Sequence, residues 1–176
     1  MILFDANVLI ELSSAETSET KERVQGLVSE LGLSKTVIGI PAPAWAEYLC
    51  GTGALTNALS TALRSLTYVR ILPFDDISAY EAALLHQEIM HATGAKKGGS
   101  LLAWQQVKID RQILAIARQY RVSAIYTSDE NMIADAGILG IACIRPDDIQ
   151  LRPMQRSLGL EQAQQDEPPG GGTDGQ

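Results

Sequence analysis

MILFDANVLI, residues 1–10, is an apolar stretch broken by Asp5 and then Asn7. Ile2 to Asp5 has the make-up of a short buried strand, and the apolar residues after it suit a brief helix. Asp is a favoured helix N-cap, so capping alone can account for Asp5. An acid between two core-bound segments gains another meaning only where other acids stand in comparably unfavourable surroundings.

Three do. In AWQQVKIDRQILAIARQY (103–120), Ala103, Val107, Leu114 and Ala117 recur at the spacing of one helix face, and Asp110 fills the gap between Val107 and Leu114. An ionised carboxylate facing a core costs on the order of several kcal/mol unless a partner, a proton or a cation compensates it. A buried salt bridge is one answer and a bound cation is another. Glu47 lies in PAPAWAEYLCG (41–51) among alanines and aromatics, with no basic residue from Thr36 to Leu63. Asp129 closes the strand candidate AIYTSD (124–129) as Asp5 closes ILFD, and a helix cap is again the plain alternative.

The elements around these acids give them a common location. Strand candidates ILFD, TVIGI, YVRIL, SAIYTS and IACIR alternate with helical stretches at 17–31, 43–51, 57–65, 77–93 and 102–120 and a short one near Asn131. Short apolar strands between helices are the pattern of an α/β layer fold with a mostly parallel sheet. In such sheets ligands gather beyond the carboxyl ends of the strands, where the winding direction reverses. Several carboxylates meeting there are most economically satisfied by a hard divalent cation, Mg²⁺ or Mn²⁺, of the kind that activates water in phosphoryl transfer.

At 176 residues, 45% apolar and 20% charged, the chain is sized for one domain with a substantial core. It has no charged-then-apolar leader and no apolar run long enough to span a bilayer, so a cytoplasmic protein without membrane contact is expected. Cys50 and Cys143 have no metal-type spacing, and reduced, buried thiols are expected. A net charge of −7 argues at first against a polyanionic partner. Its distribution weakens that objection, because Lys96, Lys97, Lys108, Arg111, Arg118 and Arg121 face the single acid Asp110 between residues 96 and 121. Such a run is either a solvated helix face or a phosphate-contacting edge. GAKKGGS (94–100) reads as a mobile surface loop. The domain is expected to occupy 1–150. The remainder, 151–176, is a Gly/Pro/Gln-rich tail with too few apolar groups to offset the entropy of ordering, and disorder is expected from about Ser157.

The four pieces ILFDANVLIEL, PAPAWAEYLCG, KIDRQILAIARQY and IYTSDENM, in this order and spacing over residues 1–150, resemble the PIN domain family, and within it the VapC-like toxins of bacterial toxin–antitoxin pairs. The resemblance implies a Rossmann-like, three-layer α/β fold: a mostly parallel sheet of about five strands flanked by helices, with the N-terminal strand central. It also implies a metal-dependent endoribonuclease in which Asp5, Glu47, Asp110 and Asp129 bind Mg²⁺ or Mn²⁺. Asn7 matches the polar residue after the first acid, and Thr127 matches a hydroxyl residue near the last. Where some relatives carry a further acid this chain has the neutral Asn131, and Asp135 is read as a surface helix residue. Cleavage by in-line displacement would leave a 5′-phosphate and a 3′-hydroxyl, with Lys96, Lys97, Lys108 and Arg111 steering the RNA backbone. A homodimer and a cognate antitoxin protein are the partners the resemblance implies.

Other readings fit less well. A haloacid-dehalogenase-type phosphatase needs a second Asp two residues after the first, where Asn7 stands, and a receiver domain needs paired acids before the strand and a late lysine. A catalytically inactive PIN fold kept as a binding module is the alternative from another class. His86 and His91, five apart on one helix, are poorly spaced as ligands and read as ordinary helix residues.

Overall fold

The computed structural model describes residues 1–51 and 58–150; the expected tail and the start of the helix expected from Asn57 lie outside the described residues. Strands β1 (Ile2–Phe4), β2 (Ile38–Pro41), β3 (Val69–Leu72), β4 (Ile125–Tyr126) and β5 (Cys143–Ile144) form one sheet in the order β3-β2-β1-β4-β5. Every pairing is parallel. Helices α1 (Ala6–Ser13), α2 (Glu19–Leu33), α3 (Ala42–Gly51), α4 (Ala58–Ser65), α5 (Asp76–Thr93), α6 (Trp104–Gln119) and α7 (Glu130–Ile138) flank it. The N-terminal strand is therefore central, with Leu3 opposite Gly39 on one side and Ile125 on the other.

The three layers follow from strand alternation, since successive side chains point to opposite faces. Ile2 and Phe4 join Val24, Leu31, Ile38, Ile40 and Tyr48 in one buried cluster, under α2 and parts of α1 and α3. Leu3 joins Leu85, Ile113, Leu114, Ile125 and Met132 in a second, under α5, α6 and α7. Fully burying each of these larger side chains stabilises the fold by roughly 1.5–3 kcal/mol. A central strand flanked on both edges and covered on both faces has nowhere for a polar side chain until it ends, and it ends at Asp5.

In α6 the core stripe is displaced from its expected position. The buried positions are Val107, Arg111 and the run Ile113–Ala117, while Ala103 is the exposed N-cap. Between Val107 and Leu114 the periodicity admits residue 110 or residue 111, which differ by about 100° around the helix. The chain buries Arg111 to 3% exposure and leaves Asp110 half-buried at the border. Arg111 is therefore not a surface cation available to steer a nucleic acid, because it is enclosed by α5 and α7. Asp135 is likewise not a surface residue: it is buried on α7 and takes Arg111 Nε at 3.2 Å.

Other local expectations shift for simple reasons. Helix α2 starts late because Ser18 caps it, its hydroxyl accepting from the Lys21 amide at 2.9 Å. Both cysteines are free, but Cys50 is exposed and Cys143 only half-buried. Among the described residues no helix is long and apolar enough to cross a membrane.

Candidate active site

The winding direction reverses between β1 and β4, the two strands whose ends carry Asp5 and Asp129. A cavity of about 580 Å³ opens there, and its walls include Asp5, Glu47, Asp110 and Asp129. Each acid arrives on a different element: the end of β1, helix α3, helix α6 and the cap of α7. Among the described residues no lysine, arginine or histidine lines the cavity.

Asp5 is buried, and both of its oxygens are in use. Oδ1 accepts from the Ala6 amide at 2.7 Å, so the cap expected from sequence is present. Oδ2 accepts from Thr127 Oγ1 at 2.7 Å and from Asn7 Nδ2 at 2.9 Å. The fully buried Thr127 hydroxyl also accepts from Asn7 Nδ2 and from the Asp129 amide, each at 3.0 Å. Asn7 Oδ1 accepts in turn from the Ser128 amide at 3.3 Å. A hydroxyl has one hydrogen to give and two lone pairs, and here all three are used. The two strand ends are thus stitched together by the side chains that follow them, which fixes the direction of Asp5. Asp129 caps α7 through Oδ1, which accepts from the amides of Asn131 and Met132 at 2.8 and 3.0 Å. Cap and cavity lining are two uses of the same carboxylate at both strand ends.

The electrostatics record how close the acids are. Burial pushes the Asp5 carboxyl up, opposed by its hydrogen bonds from Thr127 and Ala6, with Glu47 and Asp129 adding repulsion. Asp110 is pushed up to about 7, first by burial and then by the charges of Asp129, Asp5, Asp135 and Glu47. Glu47 is exposed, so its lack of a basic neighbour in sequence carries no burial cost of the kind that lack suggested. Among the described residues no three His, Cys, Asp or Glu side chains form a ready-made metal group. The donor set is nonetheless one of hard oxygens with no compensating cation among the described residues lining the cavity, which fits Mg²⁺ or Mn²⁺ rather than a thiolate- or imidazole-seeking metal.

A family model for the PIN domain matches residues 2–138. The chain belongs to the PIN domain family. Among solved structures, this PIN domain is similar to FitAcB from Neisseria gonorrhoeae, with 25% identity and a TM-score of 0.56 over 83% of this chain and 98% of that one. It also shares its fold with a toxin–antitoxin complex from Klebsiella pneumoniae, at 21% identity and a TM-score of 0.54 over 83% and 98% of the two chains. A third structure of this fold is VapBC2 from Rickettsia felis bound to a DNA fragment from their promoter, at 14% identity and a TM-score of 0.55 over 82% and 98%. No curated protein matches the sequence.

Of the cations expected to steer RNA, Lys96 is exposed with Nζ 4.4 Å from the centre of the Trp104 ring, and Lys97 Nζ donates to the Leu102 carbonyl at 2.9 Å. Lys108 is half-buried, and none of these lysines lines the cavity of this PIN domain. Sequence reasoning missed Gln106 and Gln112, which are among the residues that line it. Gln106 had a signal, since it stands one helical turn before Asp110 on the same face; Gln112, two residues after Asp110, had none.

Proposed function

We propose that this PIN domain is a metal-dependent endoribonuclease acting as the toxin of a toxin–antitoxin pair. The observation that carries this is the meeting of Asp5, Glu47, Asp110 and Asp129 on one cavity at the reversal of the sheet, with no basic side chain in its lining among the described residues. Asp5, Asp110 and Asp129, joined by Glu47, are the groups that would hold Mg²⁺ or Mn²⁺. Such an ion, when bound, supplies charge neutralisation and an acidified water at the scissile phosphate.

The rest of the cavity supports a single-stranded substrate. Ile10, Pro43, Leu102 and Ile109 give it an apolar wall against which an unstacked base can lie, and Gln106 and Gln112 bring amides that hydrogen-bond to base edges or phosphate oxygens. Lys96, Lys97 and Lys108 stand outside it as the cations that would attract the backbone. The likeness to structures described as toxin–antitoxin complexes supports a cognate antitoxin protein as the regulatory partner, and a homodimer is proposed as the assembly from the family resemblance of the sequence alone.

The absence of a ready-made metal group among the described residues favours the second reading, an inactive fold serving as a binding module. One experiment separates the two. Purified protein is incubated with single-stranded RNA and Mg²⁺ or Mn²⁺, the fragment ends are sequenced, and Mn²⁺ binding to metal-stripped protein is titrated. The enzyme reading requires cleavage that chelator abolishes and that Asp5→Asn and Asp110→Asn lose. Wild-type rates in those variants, or no metal binding, would leave the module.

A further inference from the structure

We propose that Arg111 anchors the loop between α5 and α6, residues 94–103, and through it positions one wall of the cavity. The structural half stands by itself, and the functional half rests on the nuclease reading above.

The guanidinium is where three helices and the loop meet. Its Nε donates to Asp135 Oδ2 on α7 at 3.2 Å, and Nη1 bonds with His86 Nδ1 on α5 and donates to the Lys96 carbonyl oxygen of the loop at 2.9 Å. Nη2 is buried and has no hydrogen-bond partner among the described residues. The loop is shaped to reach this point. Gly98 has φ +65°, and a Cβ there would lie 2.6 Å from Asp135 Oδ1 and 2.9 Å from Ile89 Cγ2. Trp104 closes the arrangement from above, its ring centre 5.5 Å from that of His86 and 5.7 Å from the Arg111 guanidinium carbon. GAKKGGS is therefore a tethered segment, and it leads into Leu102 and Gln106, which line the cavity.

A buried ion pair is seldom more stabilising than apolar side chains of similar volume. What Arg adds is direction, because its planar fork fixes the angles at which partners are held. Spent on the Lys96 carbonyl, that directionality fixes where the loop lies rather than how stable the core is. The carboxylates on β1, α3 and α7 are not attached to this loop. Loosening it is expected to weaken substrate binding more than turnover.

The test compares the wild type with Arg111→Met/Asp135→Leu, which keeps the packing and removes both charges, and with Gly98→Ala, which leaves the pair intact but blocks docking. Trypsin cleaves after Lys96 and Lys97, so nicking there reports loop release without reference to nuclease activity. Both variants should be nicked about tenfold faster or more at unchanged helix content by circular dichroism. On a short RNA, KM should rise about fivefold or more in both variants, while kcat stays within about threefold in Gly98→Ala, which keeps the Asp135 charge that acts on Asp110. Nicking at the wild-type rate in both variants overturns the anchor. Faster nicking with KM unchanged overturns the positioning of the wall. A wild type that cleaves no RNA refutes the nuclease reading, while the nicking rates still decide whether Arg111 holds the loop.

Discussion

Thr127 gives its hydroxyl hydrogen to Asp5 Oδ2 across 2.7 Å, joining positions 122 residues apart. Thr127→Val keeps the shape and removes the hydroxyl, which leaves Asp5 with one fewer donor and the Asp129 amide without its acceptor. Stability should fall by about 1–3 kcal/mol, read from urea unfolding. If the proposed chemistry is right, metal affinity should fall by about 10–100-fold, since groups that orient metal-binding side chains carry costs of that size. A Val variant as stable as the wild type would show that the stitch between β1 and β4 is not needed.

Adding Mn²⁺ or Mg²⁺ to stripped protein should raise its melting temperature, because a ligand that binds only the folded state stabilises it by about 2.7 kcal/mol at a hundred times its Kd. Asp129→Asn should lose most of that rise while still capping α7, since Asn accepts at a cap nearly as well as Asp. Differential scanning calorimetry in chelator and in metal makes the comparison, and equal shifts in both proteins would place the ion elsewhere.

Asp110→Asn removes one like charge from a group in which Asp129, Asp5, Asp135 and Glu47 all oppose ionisation. At pH 8 in chelator this variant should be more stable than the wild type. Asp110 is only half-buried and solvent screens much of the repulsion, so the gain should be on the order of 1 kcal/mol. RNA cleavage should fall at least about 100-fold. A variant stabler and inactive would mark Asp110 as a residue held at a cost for function; one that is less stable would contradict the electrostatic account.

His86 supplies a pH test away from the carboxylates. Burial, then the charges of Arg111 and Lys96, hold its imidazole below the ordinary histidine range. The fold thus prefers the neutral ring, and the unfolded chain takes up the proton first. The stability this contributes is complete above about pH 6.5 and is lost as pH falls through that value toward the lowered one. His86→Gln should flatten this part of the profile. The check is the urea midpoint of both proteins at pH 7.5 and 5.5, where an equal loss in each would mean that His86 does not titrate with folding.

Much of the candidate site's geometry was legible in the sequence, for reasons that differ by residue. Asp5 and Asp129 end apolar strands, and parallel sheets collect ligands at strand ends, so local pattern and topology agree. Asp110 was found by an argument that is only half right: an ionic residue does interrupt the core stripe of α6, but it is Arg111. Helical periodicity cannot choose between adjacent positions, and the partner that decides it, Asp135, lies 24 residues away on another helix. Asp135 had a signal of the same kind, between the buried Met132 and Ala136 on α7. Glu47 was noticed for lacking basic neighbours, yet it is exposed and reaches the cavity because α3 begins directly after β2. The tethering of GAKKGGS was hidden because a glycine-rich, lysine-bearing segment looks alike in sequence whether or not a buried guanidinium holds its backbone.

The central place of β1 has a consequence for synthesis. Strand β1 is made well before β4, which lies more than a hundred residues later and forms its second edge, and such distant pairing comes late in folding. A nascent chain that has reached Gln119 already carries Asp5, Glu47 and Asp110, but neither the hydroxyl that aims Asp5 nor the fourth acid. Assembly of the four-acid cavity is in that way deferred by topology: on the proposed function, the cell would meet a finished nuclease site only once the segment that carries β4 and the start of α7 has been made.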